Sequence, residues 1–143
     1  MSTPEENKQI VVEYFELLFN QRRIDEAVNR YQASDYVQHN AAVANGPEAL
    51  KATIATLFAQ FPDMRLDIKR AFAEGDYVIV HSELSGVSLT LDGTENIAAN
   101  SAHHGHSRYA LVDIVRLEHG RIVEHWDVAQ KIPAATMDGT SMV

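Results

Sequence analysis

Several polar residues of this chain stand where an apolar core should be. Asp113 lies within Ala110-Leu111-Val112-Asp113-Ile114-Val115, and His125 and Asp127 flank Trp126 in Ile122-Val123-Glu124-His125-Trp126-Asp127-Val128. His81 follows Val78-Ile79-Val80, and His39 stands just before a helical stretch. Burying a polar group costs free energy unless it is paired. Carboxylates and imidazoles set among apolar neighbours therefore need partners or a use. Apolar surroundings disfavour a charged carboxyl and raise its pKa, which brings it nearer neutral pH, where proton transfer works well. On that ground Asp127 is the candidate general acid/base, with Asp113, His125 and His39 as further catalytic candidates. The competing reading is an Asp–His ion pair that braces a hairpin.

Side chains of a strand alternate between its two faces, so Val123, His125, Asp127 and Ala129 share one face, and Ile122, Glu124, Trp126 and Val128 share the other. Which residues of the preceding strand join them depends on the turn. A three-residue loop Glu118-His119-Gly120 with a bulge at Gly120 sets Asp113 opposite His125 and Leu111 opposite Asp127. A two-residue His119-Gly120 turn sets Asp113 opposite Trp126, since a one-residue slip flips every side chain. The bulged form is preferred because it gathers Asp113, His125 and Asp127.

Other chemistries find less support. His103-His104-Gly105-His106 has enough imidazoles for a divalent ion, but no carboxylate is placed to complete a site, so a solvated polar loop is the better reading. A helical His-Glu-x-x-His run, a glycine-rich phosphate loop and a Gly-x-Ser-x-Gly elbow are all missing, which argues against zinc proteolysis, nucleotide cofactors and α/β-hydrolase chemistry. No metal and no nucleotide cofactor are expected.

These residues need a scaffold, and 143 residues supply one domain with enough chain for a core that needs no disulfide. Twelve basic against twenty acidic residues give a net charge of −8. That charge repels phosphate backbones and anionic membranes, so neither nucleic acid nor a membrane is an expected partner. The chain has no cysteine, which removes thiol catalysis and cysteine-bound zinc. The polar, acidic start is unlike a signal peptide, no apolar run reaches the roughly 20 residues of a membrane span, and a cytoplasmic location is expected.

Thr3-Pro4-Glu5-Glu6 reads as a capped helix start. Apolar spacing from Ile10 to Phe19 continues that helix toward residues 21–23. A short helix over 24–31 follows, then a linking segment over 33–40. A third helix over 49–61 is stopped by Pro62. Alternation at Met64, Leu66 and Ile68 begins a run of strands, with further strands over 77–84, 109–117 and 122–129. Helices followed by antiparallel strands argue an α+β fold, with helices packed on one face of a curved sheet. Residues 85–108 read as a hairpin extension or loop, and 133–143 as a loosely held tail.

Tyr36-Val37-Gln38-His39-Asn40 with Gly46, Phe72-Ala73-Glu74-Gly75-Asp76, and above all Leu111 to Gln130 resemble the SnoaL-like polyketide cyclase group of the nuclear-transport-factor-2-like superfamily. The resemblance spans about residues 5 to 133. It implies a cone-shaped α+β barrel, its strongly curved, mainly antiparallel sheet closed by helices around one deep apolar pocket. It implies homodimers through the outer sheet face, and cofactor-free closure of a small hydrophobic carbonyl-bearing substrate by an intramolecular aldol reaction. Asp127 matches the position of the acid/base in that group, and His39 and His125 are placed to hydrogen-bond a carbonyl oxygen. Trp126, His81, Tyr14, Phe15, Tyr109 and Gln130 are the expected substrate-binding residues. The His-rich stretch within 85–108 departs from the group as an insertion. The superfamily also hosts epoxide hydrolases, dehydratases, isomerases and non-catalytic small-molecule binders. A hydrolase would need Asp113, Arg116 and Asp127 on one face.

Overall fold

The computed structural model describes residues 2–89 and 107–143. The proposed His103–His106 loop and most of the 85–108 stretch lie outside the described residues.

Helix α1 (Pro4–Phe15) starts as its sequence dictates. Glu6 N–H donates to Thr3 Oγ1 at 3.2 Å, and Thr3 N–H donates to Glu6 Oε2 at 2.7 Å, a reciprocal cap worth about 1 kcal/mol. The same chain then widens into a π-helical turn, Glu16–Asn20, where a plain helical continuation was expected. That turn brings Asn20 to the edge of the sheet. Its Nδ2 donates to Leu66 O at 2.8 Å and its Oδ1 accepts from Leu66 N–H at 3.1 Å, as a neighbouring strand would. Helix α2 (Ile24–Tyr31) and helix α3 (Pro47–Gln60) follow. Among the described residues no helix is long and apolar enough to cross a membrane.

The strands are β1 (Gln32–Gln38), β2 (Arg65–Glu74), β3 (Tyr77–Ser85), β4 (Arg108–Glu118) and β5 (Arg121–Lys131). They form one sheet in the order β1-β5-β4-β3-β2. Three of its pairings are antiparallel, while β1 lies parallel to β5. The sheet is mixed and open, with β1 and β2 at its edges, and does not close into a barrel. Most of the expected linker is thus an edge strand. Its polar sequence and broken alternation hid it: Tyr36 and Gln38 point inward, but Ser34 and Asp35 both face solvent.

The inner sheet face carries Leu66, Val78, Val80, Leu84, Tyr109, Leu111, Val115, Leu117 and Ile122, which bury against Val11, Tyr14, Phe15, Leu18 and Val28 of the helical layer. On the outer face Phe72, Ile79, Ile114 and Trp126 form one cross-strand row.

The hairpin between β4 and β5 corrects the expected register. Its turn is the two-residue His119-Gly120, with φ of +48° and +74°, the left-handed pair that matches strand twist. Glu118 pairs Arg121 and Leu117 pairs Ile122, but Arg116 pairs Glu124. Val123 is therefore an extra, bulged residue. The bulge, not a longer loop, restores the parity that a two-residue turn alone would have reversed. Asp113 thus faces Asp127, not His125, as its direct partner.

Candidate active site

Asp113, His125 and Asp127 meet on the inner face, and their ligand atoms lie within 4.8 Å of one another. Asp113 is the deep member, 3% exposed between Leu111 and Val115. His125 Nε2 is 2.7 Å from its Oδ1. Asp113 Oδ2 and the neighbouring Ser82 Oγ are buried with no hydrogen-bond partner among the described residues. Burial pushes the Asp113 carboxyl up from its ordinary range, against the opposing pull of His125. Burial lowers the His125 imidazole, but the hydrogen bond and charge of Asp113, with help from Asp127, outweigh it and hold His125 above its ordinary value. The two shifts have one meaning: the pair keeps its proton.

Asp127 is half-buried, and the fully buried carboxyl of the cluster is Asp113. Both of its oxygens stand 2.9 Å from Asn40 Nδ2. Asn40 Oδ1 accepts from Ala42 N–H at 2.9 Å, so the amide is fixed with its NH2 toward the carboxylate. Asn40 holds Asp127 from one side and leaves lone pairs on the other.

Gln38 is the second polar group supplied by this arm. Its Oε1 is 2.9 Å from His125 Nδ1 and accepts from Asn40 N–H at 3.0 Å, and its Nε2 donates to Tyr36 Oη at 2.8 Å. Gln32 Nε2 donates to Tyr14 Oη at 2.6 Å. Burial holds both phenols well above the usual range, opposed at Tyr14 by its bond from Gln32 and reinforced at both by the Asp113 charge. Tyr14 and Tyr36 therefore stay protonated. Phe15 sets its ring edge-on to His125, with centroids 6.5 Å apart.

The other expected site residues divide by face. Tyr14, Phe15 and Tyr109 are buried on the inner side. Tyr109 accepts from Leu89 N–H at 2.9 Å. His39, His81, Trp126 and Gln130 belong to the outer side and do not meet the cluster. His39 stacks on Trp126 at 4.5 Å and binds Glu124 Oε1 at 2.8 Å. Arg116, then His39, hold Glu124 below the usual carboxylate range. His81 contacts Arg70. Arg116 pairs with Glu118 and Glu124 on that same outer side, which removes it from the constellation a hydrolase would need. His125 has both ring nitrogens engaged inside the protein, so it is not free to meet a carbonyl oxygen.

Sequence reasoning missed Asn40 and Gln38 as site residues. The signal available was their alternation around His39, which a strand reading of this stretch would have sent inward together.

The cluster is also one that could gather a divalent ion, and two of its members, His125 Nε2 and Asp113 Oδ1, are already in direct contact with each other. A cleft of about 820 Å³ runs along α1 and α2, lined by Glu6, Glu13, Glu16, Glu26 and Arg30 among others; none of its lining residues belongs to the cluster.

A family model described as SnoaL-like polyketide cyclase matches residues 9–136. No curated protein matches the chain. Among solved structures, TsrD from Streptomyces laurentii is 21% identical with a TM-score of 0.69, covering 90% of this chain and 91% of its own. A SnoaL-like polyketide cyclase from Agrobacterium tumefaciens is 14% identical with a TM-score of 0.69, over 91% and 93%. An NTF2-like protein of unknown function from Mesorhizobium loti is 18% identical with a TM-score of 0.65, over 91% and 95%. At these identities the likeness is one of fold.

Proposed function

The chain belongs to the SnoaL-like polyketide cyclase family, and on that premise we propose that it is a cofactor-independent cyclase with Asp127 as general acid/base. The observation that carries this reading is the pairing of unlike carboxyls: Asp113 is buried and committed to His125, while Asp127 is half-buried, oriented by Asn40 and, among the described residues, bound by no other side chain. Such a division of roles suits one group that keeps its proton and one that exchanges it.

In the proposed reaction the Asp127 carboxylate removes a proton from a carbon next to a carbonyl of a small hydrophobic substrate. The resulting enolate attacks a second carbonyl of the same molecule, a carbon–carbon bond forms, and the new alkoxide takes the proton back from Asp127. Atoms are conserved and the carboxylate is regenerated. The protein contributes orientation of the two carbonyls and exclusion of water. Tyr14, Phe15 and Tyr109 are the substrate-side residues this reading keeps. A homodimer is part of it, supported by the exposed apolar residues Phe72, Ile79 and Val128 of the outer sheet face, 62%, 42% and 69% exposed. A cytoplasmic location suits an acidic, cysteine-free chain.

The test is a set of linear poly-β-carbonyl compounds followed by mass spectrometry in D2O. Ring closure to an isomer of unchanged mass in H2O, and deuterium entry at the carbon between carbonyls in D2O, are expected of the wild type. Asp127→Asn is expected to lose at least about 100-fold in both, the low end for a general acid/base, with an unchanged circular dichroism spectrum. Full turnover by Asp127→Asn sinks the assignment.

A further inference from the structure

Which hydrogen His125 carries follows from Gln38. A backbone N–H only donates, so the Gln38 atom 3.0 Å from Asn40 N is the oxygen. The opposite end of the amide donates to Tyr36 Oη, and a flip would set the NH2 against the Asn40 N–H, donor against donor. The same oxygen lies 2.9 Å from His125 Nδ1. That nitrogen must therefore carry a hydrogen. The 2.7 Å contact between His125 Nε2 and Asp113 Oδ1 then holds one further hydrogen, bonded to nitrogen or to oxygen. In either form the His125–Asp113 pair is neutral overall.

Gln38 is itself held in place. Its backbone N–H donates to Asn45 Oδ1 at 2.8 Å, and it pairs with His125 in the parallel β1–β5 ladder, which continues with His39 N–H donating to His125 O at 2.9 Å. The groups set against the imidazole are Gln38 from β1, Asp113 from β4, Asp127 from its own strand and Phe15 from α1, with Tyr36 bonded to Gln38 and Tyr14 beside the Asp113 charge. None of these except Gln38 accepts from Nδ1 among the described residues.

We propose that Gln38 is a positioning residue that fixes His125 in the form with a hydrogen on Nδ1, so that Asp113 is neutralised through Nε2 and Asp127 stands as the cluster's one uncommitted carboxylate. This deepens the acid/base reading of Asp127. Asp113 and Asp127 are direct cross-strand partners, and two carboxyls so placed would otherwise share one proton. With Asp113 bound to His125, Asp127 is left as the carboxylate outside that pair.

The experiment is nitrogen-15 NMR of the imidazoles in wild type, Gln38→Leu and Gln38→Glu, with His125 assigned by its absence in His125→Phe. The wild type is expected to show a protonated Nδ1 for His125 at neutral pH. Gln38→Leu keeps the volume and removes the acceptor, and the Nδ1-hydrogen signal is expected to be lost or averaged with the other tautomer. Gln38→Glu keeps an acceptor and is expected to restore it. An unprotonated Nδ1 in the wild type, or a Gln38→Leu spectrum identical to wild type, overturns the proposal. The wild-type and Gln38→Glu spectra decide the matter if Gln38→Leu does not fold. Because the readout is spectroscopic, it stands whether or not the poly-β-carbonyl compounds turn over.

Discussion

Removal of the imidazole from the buried pair has a consequence whose size follows from proton counting. In His125→Phe the edge-on ring contact with Phe15 is kept, but Asp113 loses its one hydrogen-bond partner among the described residues, where its Oδ2 already has none. A buried unpaired carboxylate is costly, so Asp113 is expected to take up a proton instead. An ordinary carboxyl titrates near 3.9, about three units below pH 7, and each unit is worth about 1.4 kcal/mol. The charge part of the destabilisation therefore has a ceiling of about 4 kcal/mol at pH 7. Between pH 5 and 6 the variant's folded state holds one proton that its unfolded state lacks, so its stability falls by about 1.4 kcal/mol as the pH rises through that unit. In the wild type the unfolded histidine carries nearly the same proton over that range, and stability is almost flat. The assay is urea denaturation of both proteins at pH 5 and 6, fitted with a common slope. The expected outcome is a stability difference smaller by about 1 kcal/mol at pH 5 than at pH 6. Equal differences at both values would refute the reasoning, because Asp113 would then not be taking up a proton.

The same linkage makes a wild-type prediction. His125 is held above its ordinary value of 6.5 and Asp113 above 3.8, so each favours the folded state at low pH. Stabilisation by His125 is fully present below pH 6.5 and is lost as the pH rises through its folded value; Asp113→Asn should flatten that alkaline fall in melting temperature. Asn40→Ala leaves the carboxylate of Asp127 unanchored. It is expected to cut turnover of a responsive carbonyl compound by about 10-fold or more, at a stability cost of about 1 kcal/mol, and unchanged kinetics would remove Asn40 from the site. A Cβ at Gly86, with φ of +72°, would stand 2.4 Å from Asp63 O, whereas one at Gly75, with φ of +56°, meets nothing within 4 Å. Gly86→Ala should therefore cost clearly more than Gly75→Ala, which is limited to about 1 kcal/mol of backbone strain, and equal melting temperatures would count against the described approach of 86 to 63. Finally, Ile79→Glu with Val128→Glu should convert a dimer to monomer in sedimentation, and an unchanged sedimentation coefficient would place any dimer contact elsewhere.

Much of the fold was legible because it rests on neighbours in the chain. Thr3, Pro4 and Glu6 cap α1 by contacts within one turn. The β-forming run from Tyr109 to Leu117 announces β4 as a strand without any knowledge of its partners, and its burial then alternates from residue to residue. The inward grouping of Asp113, His125 and Asp127 was likewise expected. Its basis was the wrong turn, however, since the two-residue hairpin keeps that grouping only through the bulge at Val123. Nothing in Gly120-Arg121-Ile122-Val123 announces a bulge, because its stabilisation comes from what the shifted side chains reach on other strands.

The sequence by itself determined the element types, the apolar inner face and the presence of ionisable groups among apolar neighbours. Tertiary structure alone decided which of those groups matter to one another. Gln38 and Asn40 reach His125 and Asp127 across 87 positions of chain, and His39 between them turns to Trp126 and Glu124 on the other side of the sheet. Periodicity reports how a side chain points relative to its own backbone. A hydrogen bond between distant segments depends on their pairing, and here on the register of a parallel edge strand whose polar sequence carries little hydrophobic pattern of its own.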